Sequence, residues 1–164
     1  MERVVSIGSF SKTLSASARC GYIAARPDWL AGLVDLKIAT TFGGGRLAAE
    51  VVLAVLQGGS YRKHMDGLRV RLAHARRETT ARLKEMGIVP WLEPQAGMFL
   101  WCQLPDGIDA AEVARAALAE DIVLAPGNVF SLSQTARAFM RFNVSQSLDE
   151  RLYSFLQDFL ERQV

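Results

Sequence analysis

A chain of 164 residues, 50% hydrophobic and 22% charged, is about one domain long and has enough apolar side chains to bury a core. Its formal charge of +2 is too small to argue for nucleic acid or a membrane surface as the main partner. With no apolar run of about 18 residues and no signal-peptide pattern after Met1-Glu2-Arg3, a soluble cytoplasmic protein is expected.

The first element, Val4 to Ile7, is a β-branched apolar run that reads as a fully buried strand. It leads into a serine-rich loop, Ser9-Phe10-Ser11-Lys12, and Arg19 follows just before a second short buried strand, Cys20 to Ala25. Lysine attacks a carbonyl only when burial or a nearby cation destabilises its ammonium, and Arg19 is the cation at hand. A guanidinium and a serine hydroxyl also suit a phosphate. Amine nucleophile and phosphate grip together suggest pyridoxal phosphate. Cys20 and Cys102 lie in apolar runs without motif spacing and read as buried free thiols of a reducing compartment.

Pro27-Asp28 starts a helix whose Leu30, Leu33, Val34 and Ile38 share a face. Gly43-Gly44-Gly45 fits neither a Walker loop nor a dinucleotide fingerprint and reads as a hinge before a helix over Leu47 to Leu56. The longest helix is expected from Ser60 to Met86, with Tyr61, Met65, Leu68, Leu72, Ala75, Thr79 and Leu83 forming one seam. Basic residues dominate its other faces without interleaved aromatics, the pattern of a solvated helix surface. His64 and His74 fall about 80° apart around that helix and read as surface histidines, with no metal site.

Beyond it the pattern alternates. Ile88 to Trp91, Met98 to Leu104, Ile122 to Leu124 and Ala138 to Val144 read as strands, and Asp109 with Glu112 resembles a capping box for a helix through Ala119. Ser147 with Glu150 is expected to cap a last helix that buries Leu148, Leu152, Phe155, Leu156, Phe159 and Leu160. The sum is a small α/β unit with helices on one side of a mostly antiparallel sheet.

Ser9-Phe10-Ser11-Lys12 with Arg19-Cys20-Gly21-Tyr22 resembles the Schiff-base lysine segment of fold type I pyridoxal-phosphate enzymes, the aspartate aminotransferase superfamily. Ala96-Gly97-Met98-Phe99-Leu100-Trp101, Leu124-Ala125-Pro126-Gly127 with Phe130, and Met140-Arg141-Phe142-Asn143 are similar in order and type to its small-domain segments. The branch most resembled is that of 2-aminoadipate-type aminotransferases and of regulators that fuse a winged helix-turn-helix to an aminotransferase-like domain.

The resemblance implies an α/β fold, the C-terminal portion of a fold type I transferase: the end of the large cofactor-binding domain over 1–60, then a small α/β domain over 61–164. It assigns Lys12 as the catalytic lysine, Ser9, Ser11 and Arg19 to the phosphate, and Arg141 to the substrate carboxylate. Thr41, or Thr40 beside it, would reach the partner subunit's cofactor phosphate in a homodimer, and Tyr22 and Asn128 are further candidates for the pocket wall. The segments that supply the superfamily's pyridinium-pairing aspartate and ring-stacking aromatic have no counterpart here, so the chain is expected to be a fragment, inactive alone, of an enzyme acting on amino acids and 2-oxo acids. The same residues would serve the effector-sensing domain of a DNA-binding regulator, and only such a fusion would bring nucleic acid in as a partner. Ser9-x-x-Lys12 also fits the acylating motif of penicillin-recognising enzymes, but the S-D-N and K-T-G elements those enzymes need are absent.

Overall fold

A computed structural model describes residues 3–163. The chain divides into two compact units at Gly67/Leu68, a point inside its longest helix.

In the first unit, β1 (Ser6–Ser9) and β2 (Gly21–Ala24) form an antiparallel pair with Ser6 opposite Ala24 and Ser9 opposite Gly21. α1 (Pro27–Thr41) starts on a proline, where the missing N–H costs nothing, and stops at Phe42 in the left-handed region with φ 59°. α2 (Arg46–Gln57) and the first two turns of α3 (Ser60–Glu85) complete the unit.

The expectation of buried strands here is overturned. Val4, Val5 and Ile7 are 57%, 42% and 77% exposed, Tyr22 and Ile23 of β2 are exposed, and Val52 is the one buried hydrophobic residue described in the unit. An apolar run records that a strand is made to be covered, not that the same chain covers it. The face expected on α1 is likewise open, since Val34 and Ile38 are exposed while Leu30 and Leu33 are half-buried.

The second unit has the core. Its sheet has the order β3-β4-β6-β5, every neighbouring pair antiparallel: β3 (Val89–Pro90), β4 (Phe99–Gln103), β5 (Ala125–Pro126) and β6 (Phe139–Asn143). Leu100 and Cys102 on β4 and Met140 and Phe142 on β6 point to one face, the outcome of period-two alternation. Against that face pack Ala75 and Leu83 of α3, Ala110, Val113 and Ala117 of α4 (Ala110–Ala119), and Leu152, Tyr153, Phe155 and Leu156 of α5 (Glu150–Glu161). Each of the larger side chains so buried contributes about 1.5–3 kcal/mol relative to exposure.

Two local expectations need correction. Ile122 to Leu124 is not a strand: Asp121 turns left-handed and Ile122 N–H bonds back to the Ala117 carbonyl at 2.9 Å, closing the C-terminus of α4, so pairing begins only at Ala125. The last helix is capped by Asp149, whose carboxylate accepts from Arg151 N–H at 3.0 Å, and not by Ser147. Ser147 is buried instead, donating to the Asn143 carbonyl at 2.9 Å, while its own carbonyl accepts from the Tyr153 hydroxyl. Leu148 consequently lies outside the helix and is exposed. Arg82 of α3 lies 3.6 Å from the centroid of the Tyr153 ring and pairs with Glu150, and its hydrogen bonds hold that carboxylate below its ordinary range.

The two thiols also differ. Cys102 is fully buried, and desolvation pushes its thiol up to about 12, whereas Cys20 is only half-buried. At pH 8 a thiol with that pKa is ionised in about one molecule in ten thousand. Iodoacetamide is therefore expected to modify Cys20 in the native protein and Cys102 only as the second unit unfolds; equal rates under native conditions would contradict the burial.

Candidate active site

The strand pair β1/β2 is the frame for Lys12. Pairing runs to Ser9 opposite Gly21, and Phe10 N–H then donates to the Cys20 carbonyl at 3.0 Å. The chain therefore leaves the ladder at Ser9-Phe10 and rejoins it at Cys20, which brings Ser9, Ser11, Lys12 and Arg19 onto one closed loop. Inside the loop, Leu14 and Ser15 N–H both donate to the Phe10 carbonyl, at 2.8 and 3.2 Å, making a helical turn with Lys12 at its centre. Ser15 caps a 3-10 turn, Ala16–Ala18, through Ser17 N–H. Arg19 follows with φ 43°, a left-handed conformation that costs a non-glycine residue on the order of 1 kcal/mol.

The loop is anchored from below by side chains whose task the sequence does not announce. Phe10 is half-buried, its ring 5.9 Å from that of Tyr22 and 5.9 Å from that of Tyr61. Thr13, next to Lys12, accepts from the Tyr61 hydroxyl at 3.0 Å, and its carbonyl meets His64 Nε2 at 2.8 Å. A carbonyl only accepts, so that nitrogen carries the proton. His64 thus has a local task, and nothing in the sequence pairs it with Thr13 across 51 positions. Tyr22 lies across its register partner Gly8, where a Cβ would collide with the ring.

Lys12 and Arg19 are exposed, and among the described residues no carboxylate is recorded opposite either. The Ser9 hydroxyl oxygen accepts from Ser11 N–H at 3.2 Å, leaving its proton for an external acceptor. An amine, a hydroxyl donor and an unneutralised guanidinium on one loop make a donor set that fits an aldehyde carrying a phosphate. Thr41 is engaged on its own helix, its hydroxyl within 3.3 Å of the Lys37 carbonyl and 3.4 Å of Lys37 Nζ, and Thr40 bonds the Leu36 carbonyl at 2.8 Å.

Arg141 belongs to the second unit. It is half-buried on the face of β6 opposite the core and lines a cleft of about 570 Å³ with Phe99, Asn143, Asp121, Asp149 and Arg151. Its guanidinium carbon lies 4.3 Å from the centroid of the Phe99 ring and 4.2 Å from that of Phe130. Asp149 is occupied with the Arg151 backbone and Arg151 with the Glu120 carbonyl, and no protein acceptor is recorded for Arg141 among the described residues. A half-buried arginine with its N–H groups unpaired is arranged for an anion from outside. Asn128, in the 3-10 turn Gly127–Phe130, has a buried Oδ1 with no protein partner. Strand alternation could place Arg141 on its face, but the two rings around it depend on the β4/β6 register and on the turn after β5, which the sequence does not spell out.

The profile of the family "Aminotransferase class I and II" matches residues 1–157. Aromatic-amino-acid aminotransferase 1 of Thermococcus litoralis is 28% identical over 153 residues, covering 92% of this chain and 36% of that protein. The HTH-type transcriptional regulator NorG of Staphylococcus aureus is 29% identical over 155 residues, covering 92% of this chain and 35% of the regulator. Among solved structures, kynurenine aminotransferase of Pyrococcus horikoshii superposes with TM-score 0.83 at 26% identity over 97% of this chain and 40% of that one. The α-aminoadipate aminotransferase LysN of Thermus thermophilus, solved with N-(5'-phosphopyridoxyl)-L-leucine, gives 0.83 at 25% over 98% and 43%. The chain thus spans little more than a third of the length of these curated relatives and about two fifths of the solved chains. An α/β chain with small antiparallel sheets that matches fold type I aminotransferase structures over 97% of its length, it belongs to the class I and II aminotransferase family.

Proposed function

We propose that the chain is the C-terminal part of a pyridoxal-phosphate-dependent aminotransferase that moves an amino group from an α-amino acid to a 2-oxo acid. The observation that carries this reading is the loop closure that gathers Ser9, Ser11, Lys12 and Arg19 between paired strands. The bound cofactor supplies the electron sink that lets the proton on the substrate Cα leave. Lys12 Nζ would be the amine that holds the cofactor and the base that takes the proton from the substrate Cα. Ser9 donates its hydroxyl hydrogen bond and Arg19 its forked N–H pair to the phosphate, with Ser11 beside them. Arg141 receives the α-carboxylate through two parallel hydrogen bonds, which orients the Cα–H bond.

On this reading residues 1–60 end the large cofactor-binding domain and 61–164 form the small domain headed by α3. The protein works as a homodimer, and Thr41 would serve the partner's cofactor phosphate by exchanging its bond to the Lys37 carbonyl for one to that phosphate. The exposed Ile7, Phe42 and Leu47 support a covering surface beyond this chain. No helix among the described residues is long and apolar enough to cross a membrane, and two unpaired cysteines suit the cytoplasm.

Incubation with pyridoxal phosphate followed by borohydride is expected to leave a phosphopyridoxyl group on the peptide containing Lys12, and a Lys12→Ala variant to lose it. Labelling of another lysine in preference would overturn the assignment.

The similarity to NorG favours a second reading, in which the same site senses an amine within a regulator. The amount of 2-oxo acid converted by the full-length protein separates them: an enzyme turns over many equivalents per chain, a sensor at most one.

A further inference from the structure

We propose that Phe99 and Phe130 are positioning residues for Arg141, holding its guanidinium between two rings so that its N–H edge is presented to a planar carboxylate. The inference rests on the carboxylate role given to Arg141 above and goes beyond it by naming what orients that side chain.

The guanidinium carbon is 4.3 Å from one ring centroid and 4.2 Å from the other. Both rings therefore stand within contact of the one guanidinium. Each ring's negative face attracts the cation, and a guanidinium stacks on such faces while keeping its in-plane donors free.

The rings are themselves held. Phe99 faces Asn143 across the β4/β6 ladder, and Arg141 faces Trp101 two residues along, a diagonal that long side chains span. Phe130 ends the 3-10 turn after β5, and β5 pairs Ala125 with Arg141. Behind the clamp runs an aromatic row: Phe130 meets Trp101 edge-on at 5.9 Å, Trp101 stacks on Phe139 at 5.4 Å, and Trp91 meets Phe139 at 5.6 Å. Phe130 is thus braced against a row of rings on the solvent-open face of the sheet, opposite the core. The acids of the same cleft, Asp121 and Asp149, are not recorded as partners of Arg141, so the clamp rather than an ion pair fixes it.

The test uses the full chain with 15N-labelled arginine. In the wild type the Arg141 Nε–H proton is expected upfield of the other arginines through ring currents, with nuclear Overhauser contacts to both phenylalanines. Butyrate, the probe carboxylate, is expected to shift that resonance on titration. Phe99→Leu and Phe130→Leu should each remove the upfield displacement and weaken butyrate binding by about tenfold, the loss of one ring contact. Phe99→Tyr and Phe130→Tyr should restore both to within about twofold, since tyrosine keeps the ring. A merely structural role would move the melting temperature without this rescue. Should a leucine variant fail to fold, the wild-type ring-current shift and Overhauser contacts decide alone, and their absence overturns the clamp. Butyrate binding unchanged in both leucine variants overturns the clamp but leaves the carboxylate site standing. Absence of any butyrate effect on Arg141 in the wild type overturns both.

Discussion

Replacing Gly127 by alanine is expected to destabilise the second unit by about 3 kcal/mol, the upper end for forcing atoms into filled space. The reason is room rather than backbone conformation. A Cβ at this position would sit 2.8 Å from the Phe139 carbonyl oxygen, closer still to that of Ala136, and 3.0 Å from the Phe139 Cβ. The two carbonyls belong to the backbone of the turn that leads into β6 and of β6 itself, and a Cβ is fixed by its own backbone, so none of them can rotate away as the end of a side chain would. For a unit of this size the loss corresponds to a fall in melting temperature of roughly 15 °C. Thermal unfolding followed by circular dichroism checks it, with Gly32→Ala in α1, where nothing lies within 4 Å, as the control. Equal melting temperatures for the Gly127 variant and the control would contradict the packing described. Because the displaced carbonyl belongs to Phe139, two residues before Arg141 on the same strand, the substitution should also loosen the Arg141 side chain.

Phe142→Ala should cost about 3–5 kcal/mol, the range for emptying a fully enclosed phenylalanine site. Phe142 is 1% exposed and pairs with Leu100 across β4/β6, among the side chains contributed by α3, α4 and α5. Removing the ring leaves a cavity where three helices meet the sheet, and those elements are hydrogen-bonded in place, so collapse around it is incomplete. Urea denaturation with an unchanged slope and a lowered midpoint is the expected result. A loss below about 1 kcal/mol would mean that the sheet face is not the centre of the core. The comparable substitution Ile7→Ala in β1 should be nearly neutral in the isolated chain, because Ile7 is already 77% exposed.

That contrast separates what a sequence carries from what a fold adds. The long helix was legible because Tyr61, Met65, Leu68, Leu72, Ala75, Thr79 and Leu83 repeat at helical steps, and the helix runs Ser60–Glu85. The paired strands β4 and β6 were legible from alternation, and the α/β class from the order of the elements. Lys12, Arg19 and Arg141 stood out because each lies in a segment whose residue types match a known chemistry.

The chain's covalent order by itself determined the long helix, the paired strands β4 and β6 with the residues they turn to the core, and the loop on which Lys12 stands, since these follow from local periodicity and from the residues' own chemistry. Tertiary structure alone decided the rest. The cap of the last helix fell to Asp149 because Ser147 found a buried carbonyl, and β5 began late because α4 used Asp121 and Ile122 to close its end. Phe99 and Phe130 met at Arg141 through a strand register and a turn that bring together residues far apart in sequence. Periodicity names the face a side chain takes; only the assembled sheet names its neighbours, because contact depends on pairing energies summed over elements that no local window contains.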